Sequence, residues 1–135
     1  MKNITNIFFD LYGVLIDYKF EKILLLPSVD LLELLKNKYS LSIISNISNK
    51  QLKYLKNNFK FLNYFEDIIT SESAMYSKPD YRIFNYALNR TNADAGSSIF
   101  IDDSYSNVKS AEKLGFNALH YTNYNNLKKY LKIDE

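Results

Sequence analysis

The sequence predicts an α/β chain: a five-stranded, mainly parallel sheet covered by helices on both faces. Two patterns and one absence point there. Short apolar runs of strand length appear along the chain, and between them apolar residues recur at helical spacing. Such alternation marks βαβ units. No repeat, low-complexity tract or Pro/Gly linker divides the 135 residues. Of these, 47% are hydrophobic, enough for one unit (residues 1–135) with a core of its own.

The elements follow in order. "NIFF" (Asn6–Phe9) is short and apolar, as expected of a strand buried on both faces. "YKFEKILLL" is ambiguous. Pro27–Ser28 opens a helix, with Ser28 as the N-cap and Val29, Leu32 and Leu35 on one face. "LSIIS" (Leu41–Ser45) is a second strand, and a helix from about Lys50 to Phe59 turns Leu52, Leu55 and Phe59 inward. "FKFLNYF" is either part of a site rim or a buried turn. "DIIT" (Asp67–Thr70) is a third strand, after which Pro79–Asp80 begins a helix whose apolar face carries Ile83, Phe84 and Ala87. "SIFI" (Ser98–Ile101) is a fourth strand, ending on Asp102. A helix from about Asn107 to Leu114 stops at Gly115, a residue suited to a left-handed C-terminal position. "ALHY" (Ala118–Tyr121) is a fifth strand, and a last helix lies near Leu127–Leu131, with Tyr124 and Tyr130 packing it.

Composition narrows the function classes. A net charge of +2 is too small to imply a nucleic-acid partner, and the run Lys50, Lys53, Lys56 and Lys60 reads as a solvated helix face. The absence of cysteine excludes disulfides, thiolate catalysis and zinc–thiolate sites. The apolar run near the N-terminus is broken by Asp10, unlike a signal peptide, and no stretch approaches a membrane span. A cytoplasmic location is the expectation, with no membrane partner.

Polar residues fall where the predicted strands end. The first strand ends on Asp10, the second on Ser45–Asn46 and the fourth on Asp102–Asp103, while Lys78 precedes a helix start. Singly, these are turn formers, caps and a surface lysine. In a parallel sheet, however, their strand ends converge on one crevice. Three carboxylates there repel one another unless a cation neutralises them, and hard oxygen ligands suit Mg²⁺. A carboxylate beside a metal and a lysine is a plausible nucleophile towards phosphorus. His120, at the end of the fifth strand, reads as structural.

The segments "FFDLYGVLID", "SIISN", "SKPDYRIFNYAL" and "FIDDSYSNVKSAEKLGF", in that order, resemble the four motifs of the haloacid dehalogenase-like hydrolase superfamily. The resemblance runs from about Ile4 to Tyr121 and implies a three-layer Rossmann-like sandwich. It also implies a mechanism. Asp10 would attack a phosphoryl group and form an aspartyl-phosphate. Ser45 would hydrogen-bond a phosphoryl oxygen, with Asn46 beside the substrate. Lys78 would neutralise charge on the nucleophile and the transferring group. Mg²⁺ would be held by Asp10, Asp103 and the backbone carbonyl of Tyr12, with Asp102 supporting it through water. Asn107 would order the loop and the helix start.

Two departures shape the reading. The family's phosphatases carry an aspartate two residues after the nucleophile as acid and base, where this chain has Tyr12. Such acid–base help is typically worth about 10²–10⁴-fold. A phenol has a reference pKa of about 10, so it can donate a proton but is a poor base at neutral pH. Tyrosine at this position also resembles the haloacid dehalogenases, whereas the Asp102–Asp103 pair resembles the metal-dependent members. The second departure is length: about Tyr18–Pro27 is too short for a helical cap domain. A capless core leaves an open site for a small or macromolecular phosphorylated substrate, or one covered by a second copy of the chain. Three readings result: a Mg²⁺-dependent phosphatase-type hydrolase, a haloacid dehalogenase, and an inactive binding module.

Overall fold

Side chains that alternate along strands need partners on both sides of a sheet. The computed structural model describes residues 3–133, so two residues at each end of the expected 1–135 unit lie outside the described residues. Along the chain run β1 (Asn6–Phe9), β2 (Ile16–Lys19), β3 (Lys22–Leu25), α1 (Leu32–Lys36), β4 (Ser40–Ser45), α2 (Asn49–Asn58) and β5 (Asp67–Thr70). They are followed by α3 (Ser71–Ala74), α4 (Tyr81–Thr91), β6 (Ser98–Asp102), α5 (Tyr105–Lys113), β7 (Asn117–His120) and α6 (Tyr124–Leu131). Short 3₁₀ turns cover Pro27–Leu31, Lys60–Tyr64 and Ala95–Ser97.

Five strands form one parallel sheet in the order β5-β4-β1-β6-β7. The chain builds outward from β1 through β4 to β5, then crosses to β6 and β7 on the other side. This reversal beside β1 leaves a crevice at the carboxyl ends of the central strands.

Alternation then sorts the core into two layers. Ile7, Phe9, Ile43, Ile99 and Ile101 share one hydrophobic cluster with Leu32 and Leu35 of α1, Leu55 of α2 and Leu127 of α6. Phe8, Ile44 and Phe100 belong to the other, with Ile83, Phe84 and Ala87 of α4 and Ala111 of α5. In that second layer Phe84 meets Phe100 edge-to-face at 5.0 Å, and Phe116 closes on Phe8 at 5.8 Å. Each fully buried phenylalanine contributes about 1.5–3 kcal/mol by leaving water. The expected three-layer Rossmann-like sandwich is therefore the observed architecture.

Three local expectations need correction or completion. The ambiguous "YKFEKILLL" belongs to a β-hairpin, in which β2 and β3 pair antiparallel from Ile16↔Leu25 to Lys19↔Lys22. Its two turn residues, Phe20 and Glu21, both have positive φ (54° and 60°), the backbone of a type I′ turn. Ser28 is not a helix N-cap. A 3₁₀ turn starts at Pro27 after Leu26, and Ser28 is fully buried with its hydroxyl donating to Tyr121 Oη at 3.1 Å. "FKFLNYF" is a buried turn at the start of β5, with Phe61, Leu62 and Phe65 in the core. It lies at the end of the sheet opposite the crevice, so it forms no part of a site rim there.

Candidate active site

Register brings the polar strand ends level. Phe9 of β1 lies opposite Ile43 of β4 and Ile101 of β6. One step further, Asp10 donates its backbone N–H to the Ile101 carbonyl at 2.8 Å, which sets it beside Asp102. Ser45 ends β4 on the same side of the molecule and is 2% exposed.

Lys78 draws the acids together. Its Nζ donates to Asp10 Oδ1 at 2.7 Å and to Asp102 Oδ2 at 3.0 Å. Its side chain is almost completely buried, and the ammonium lies 5.6 Å from the centre of the Phe100 ring. Removing the lysine would leave two buried carboxylates without their cation, a loss that typically costs about 3–5 kcal/mol. The lysine is positioned by its own backbone. Lys78 N–H donates to Asn46 Oδ1 at 2.8 Å, and Asn46 Nδ2 donates back to the Lys78 carbonyl at 3.0 Å. Asn46 was expected beside the substrate; its amide is used to hold the lysine.

Asp102 is wholly buried and well supplied with donors. Besides Lys78, it accepts from Asn107 Nδ2 at 2.9 Å and from the Ser104 backbone N–H at 2.9 Å. Asn107 thus orders the loop that follows β6 from inside α5, as expected. Asp103 keeps an exposed edge. Its carbonyl lies 3.0 Å from His120 Nε2, and its carboxylate presses on Gly13. A Cβ at Gly13 would stand 2.6 Å from Asp103 Cγ, and Gly13 has φ +93°, so glycine is required there twice over.

The three carboxylates are electrostatically strained. Burial pushes Asp10 from 3.8 up to about 7; Lys78 opposes the rise, and Asp102 and Asp103 add to it. Asp103 is raised as well, first by partial loss of water and further by Asp102, while its contact with Asp10 pulls it down. One ligand atom each from Asp10, Asp102 and Asp103 lies within 4.8 Å of the others. An oxygen-rich cluster that ionises with difficulty on its own fits a hard divalent cation. Asp10 and Asp103 have oxygens to offer, while Asp102 is engaged with Lys78, Asn107 and Ser104.

Tyr12 follows Asp10 by two residues, with the fully buried Leu11 between them. It bridges to Ile16 through the Gly13 N–H, which donates to the Ile16 carbonyl at 2.7 Å, and the Leu11 carbonyl, which accepts from Ile16 N–H at 3.0 Å. The Tyr12 carbonyl stays outside that bridge and available as an oxygen ligand. The Tyr12 hydroxyl accepts from Gln51 Nε2 of α2 at 2.8 Å. Gln51 is the residue that sequence reasoning passed over. It lies 39 positions from Tyr12, on a helix whose charged neighbours suggest only a solvated face.

Known proteins place this geometry. The family described as haloacid dehalogenase-like hydrolases matches residues 18–120, a span that includes Ser45, Lys78, Asp102 and Asp103 and begins after Asp10 and Tyr12. No curated protein sequence matches the chain. A HAD-family enzyme of Bacteroides thetaiotaomicron, crystallised with magnesium and inorganic phosphate, is 21% identical with a TM-score of 0.81, over 90% of this chain and 96% of its own. A HAD-superfamily hydrolase of Ehrlichia chaffeensis is 19% identical with a TM-score of 0.81, over 98% of each chain. A dehalogenase structure is 16% identical with a TM-score of 0.79, over 87% of this chain and 84% of its own. The folds agree across these structures. The matched span covers most of the sequence and contains the acidic pair, the lysine and the strand-end serine. The chain therefore belongs to the haloacid dehalogenase-like hydrolases.

Proposed function

We propose that this hydrolase is a Mg²⁺-dependent phosphatase-type enzyme that takes the phosphoryl group of a phosphate ester onto Asp10 as an aspartyl-phosphate. The observation that carries the reading is the buried Lys78 ammonium, shared at 2.7 and 3.0 Å between Asp10 and Asp102. It holds Asp10 in one orientation and supplies positive charge next to the nucleophile. Asp10, Asp103 and the Tyr12 carbonyl would hold Mg²⁺, with Asp102 behind them. The ion would neutralise charge on the phosphoryl oxygens. Ser45 would donate to a phosphoryl oxygen, and Asn46 would keep Lys78 aimed. The magnesium and phosphate bound by the Bacteroides structure support the same assignment.

In this reading residues 1–135 are a single unit without a cap domain, acting in the cytoplasm. The β2–β3 hairpin stands where a cap would be inserted. An open site of this kind admits a small or a macromolecular phosphate ester, and a second copy of the chain is a candidate cover.

The test is phosphate release from an aryl phosphate in Mg²⁺ by the parent and by Asp10→Asn. The variant should lose the activity; equal rates would end the proposal. Tyr12 supports the alternative of dehalogenase-type hydrolysis. That reading requires halide release from a 2-haloacid without added metal.

A further inference from the structure

Where the sheet stops, a side chain carries its ladder one step further. β6 and β7 keep register to Asp102↔His120, and the Tyr121 N–H donates to the Asp102 carbonyl at 2.8 Å. Asp103 lies one residue beyond the strand. Its carbonyl is 3.0 Å from His120 Nε2. A carbonyl can only accept, so Nε2 carries the proton and the imidazole stands in for a backbone donor. The same peptide unit is held at its other polar group, because the Ser104 N–H donates to Asp102 Oδ1 at 2.9 Å. A peptide unit is planar, so holding both groups fixes its tilt, and with it the side from which the Asp103 side chain leaves the backbone. The His120 ring is itself braced, edge-to-face at 5.7 Å, by Tyr105, the first residue of α5. This support falls where other support is thin. Lys78 pairs with Asp10 and Asp102, and no ion pair among the described residues reaches Asp103. Asp103 is also the exposed member of the three acids.

We infer that His120 is a positioning residue for the cation site, acting through the Asp103 carbonyl on the direction of the Asp103 carboxylate. The inference rests on the reading of Asp103 as a ligand of Mg²⁺. It does not require His120 to touch the ion or the substrate. The effect reaches selectivity as well as affinity. Mg²⁺ demands near-octahedral ligands at about 2.0–2.1 Å, whereas Ca²⁺ accepts irregular sets at about 2.3–2.6 Å. An Asp103 free to swing therefore penalises Mg²⁺ more than Ca²⁺.

Calorimetric titration of the metal-free chain with Mg²⁺ and with Ca²⁺ tests the assignment. The parent is compared with His120→Phe, His120→Gln and Asp103→Asn, and the metal-free Tm of each is measured alongside. His120→Phe keeps an aromatic edge for Tyr105 and loses the donor. Its Kd for Mg²⁺ should rise about 10–100-fold, the usual cost of removing a group that orients a metal ligand. Its Kd for Ca²⁺ should rise by about threefold or less. His120→Gln presents an amide N–H in nearly the same place and should bring the Mg²⁺ Kd back to within about threefold of the parent. His120 lies at the surface, so the metal-free Tm of both variants should stay within about 2 °C of the parent. A parental Mg²⁺ Kd in His120→Phe would overturn the inference. So would a loss that His120→Gln does not restore, an equal loss for both ions, or a loss that travels with a lower metal-free Tm. If His120→Phe does not fold, His120→Leu replaces it under the same criteria, and failure of both to fold would make the ring structural and end the inference. Asp103→Asn separates the two readings. Parental Mg²⁺ binding by Asp103→Asn removes the ligand assignment and this inference together. Weakened binding by Asp103→Asn beside an unaffected His120→Phe removes this inference only.

Discussion

Asp10 carries the sharpest conflict at the residue scale: buried, beside two further acids, and neutralised in part by Lys78. Folded, it takes up its proton near pH 7, against 3.8 as the ordinary value. The folded state therefore binds more protons than the unfolded state between those values. The stability contributed by Asp10 is complete below about pH 4 and is lost as the pH rises through about 7. In metal-free buffer, Asp10→Asn should raise Tm at pH 8, by something on the order of 5 °C, with the gain vanishing towards pH 4. Thermal melts of both proteins across that range check the sign. A gain that grew towards acid would contradict the assigned cause. Residues of this kind were legible in the sequence because Asp10, Lys78 and Asp102 each stand at the end or start of an element. The partners that hold them were not. Asn46 on the Lys78 backbone and Gln51 on Tyr12 are single polar residues whose role depends on a neighbour 32 or 39 positions away. No local pattern encodes that distance.

Among the elements, the core strands and long helices could be read because their periods are set by burial. The described strands β1 and β5 have the expected bounds, and β4, β6 and β7 differ by one residue. The hairpin was opaque for a physical reason. A two-residue type I′ turn normally announces itself with Asn-Gly or Asp-Gly, and here it is Phe20-Glu21. Forcing two side chains into the left-handed region costs about 1–2 kcal/mol per residue. Phe20 is 92% exposed, so burial does not offset that cost. Replacing the pair by Asn-Gly should stabilise the chain by about 1 kcal/mol or more, read as a shifted urea midpoint with unchanged slope. An unshifted midpoint would show that the hairpin is already open in the transition that urea measures. Ser28 and α1 taught the complementary lesson. Proline followed by serine looks like a helix start, but the serine hydroxyl was needed 93 positions away at Tyr121.

For the whole molecule, the parallel order β5-β4-β1-β6-β7 does two things at once. It seals β1 between neighbours, and it gathers the carboxyl ends of β1, β4 and β6 at one crevice. Mg²⁺ should therefore stabilise the folded chain in proportion to its occupancy. At 100 times its dissociation constant the gain is about 2.7 kcal/mol, visible as a Tm that climbs with metal concentration in the parent and stays flat in Asp10→Asn. A parent melt indifferent to Mg²⁺ would argue against the metal assignment. The ion pair from Lys78 to Asp10 spans 68 positions and the one to Asp102 spans 24. Only a fragment from Asp10 to Asp102, which includes β4, β5 and β6, holds all three groups, so the complete arrangement cannot form in any early local structure. During refolding, then, the ability to bind the cation should come last, after the helices and the two hydrophobic layers have formed. Metal uptake becomes a clock for completion: a chain that has captured the ion has already closed its longest loops.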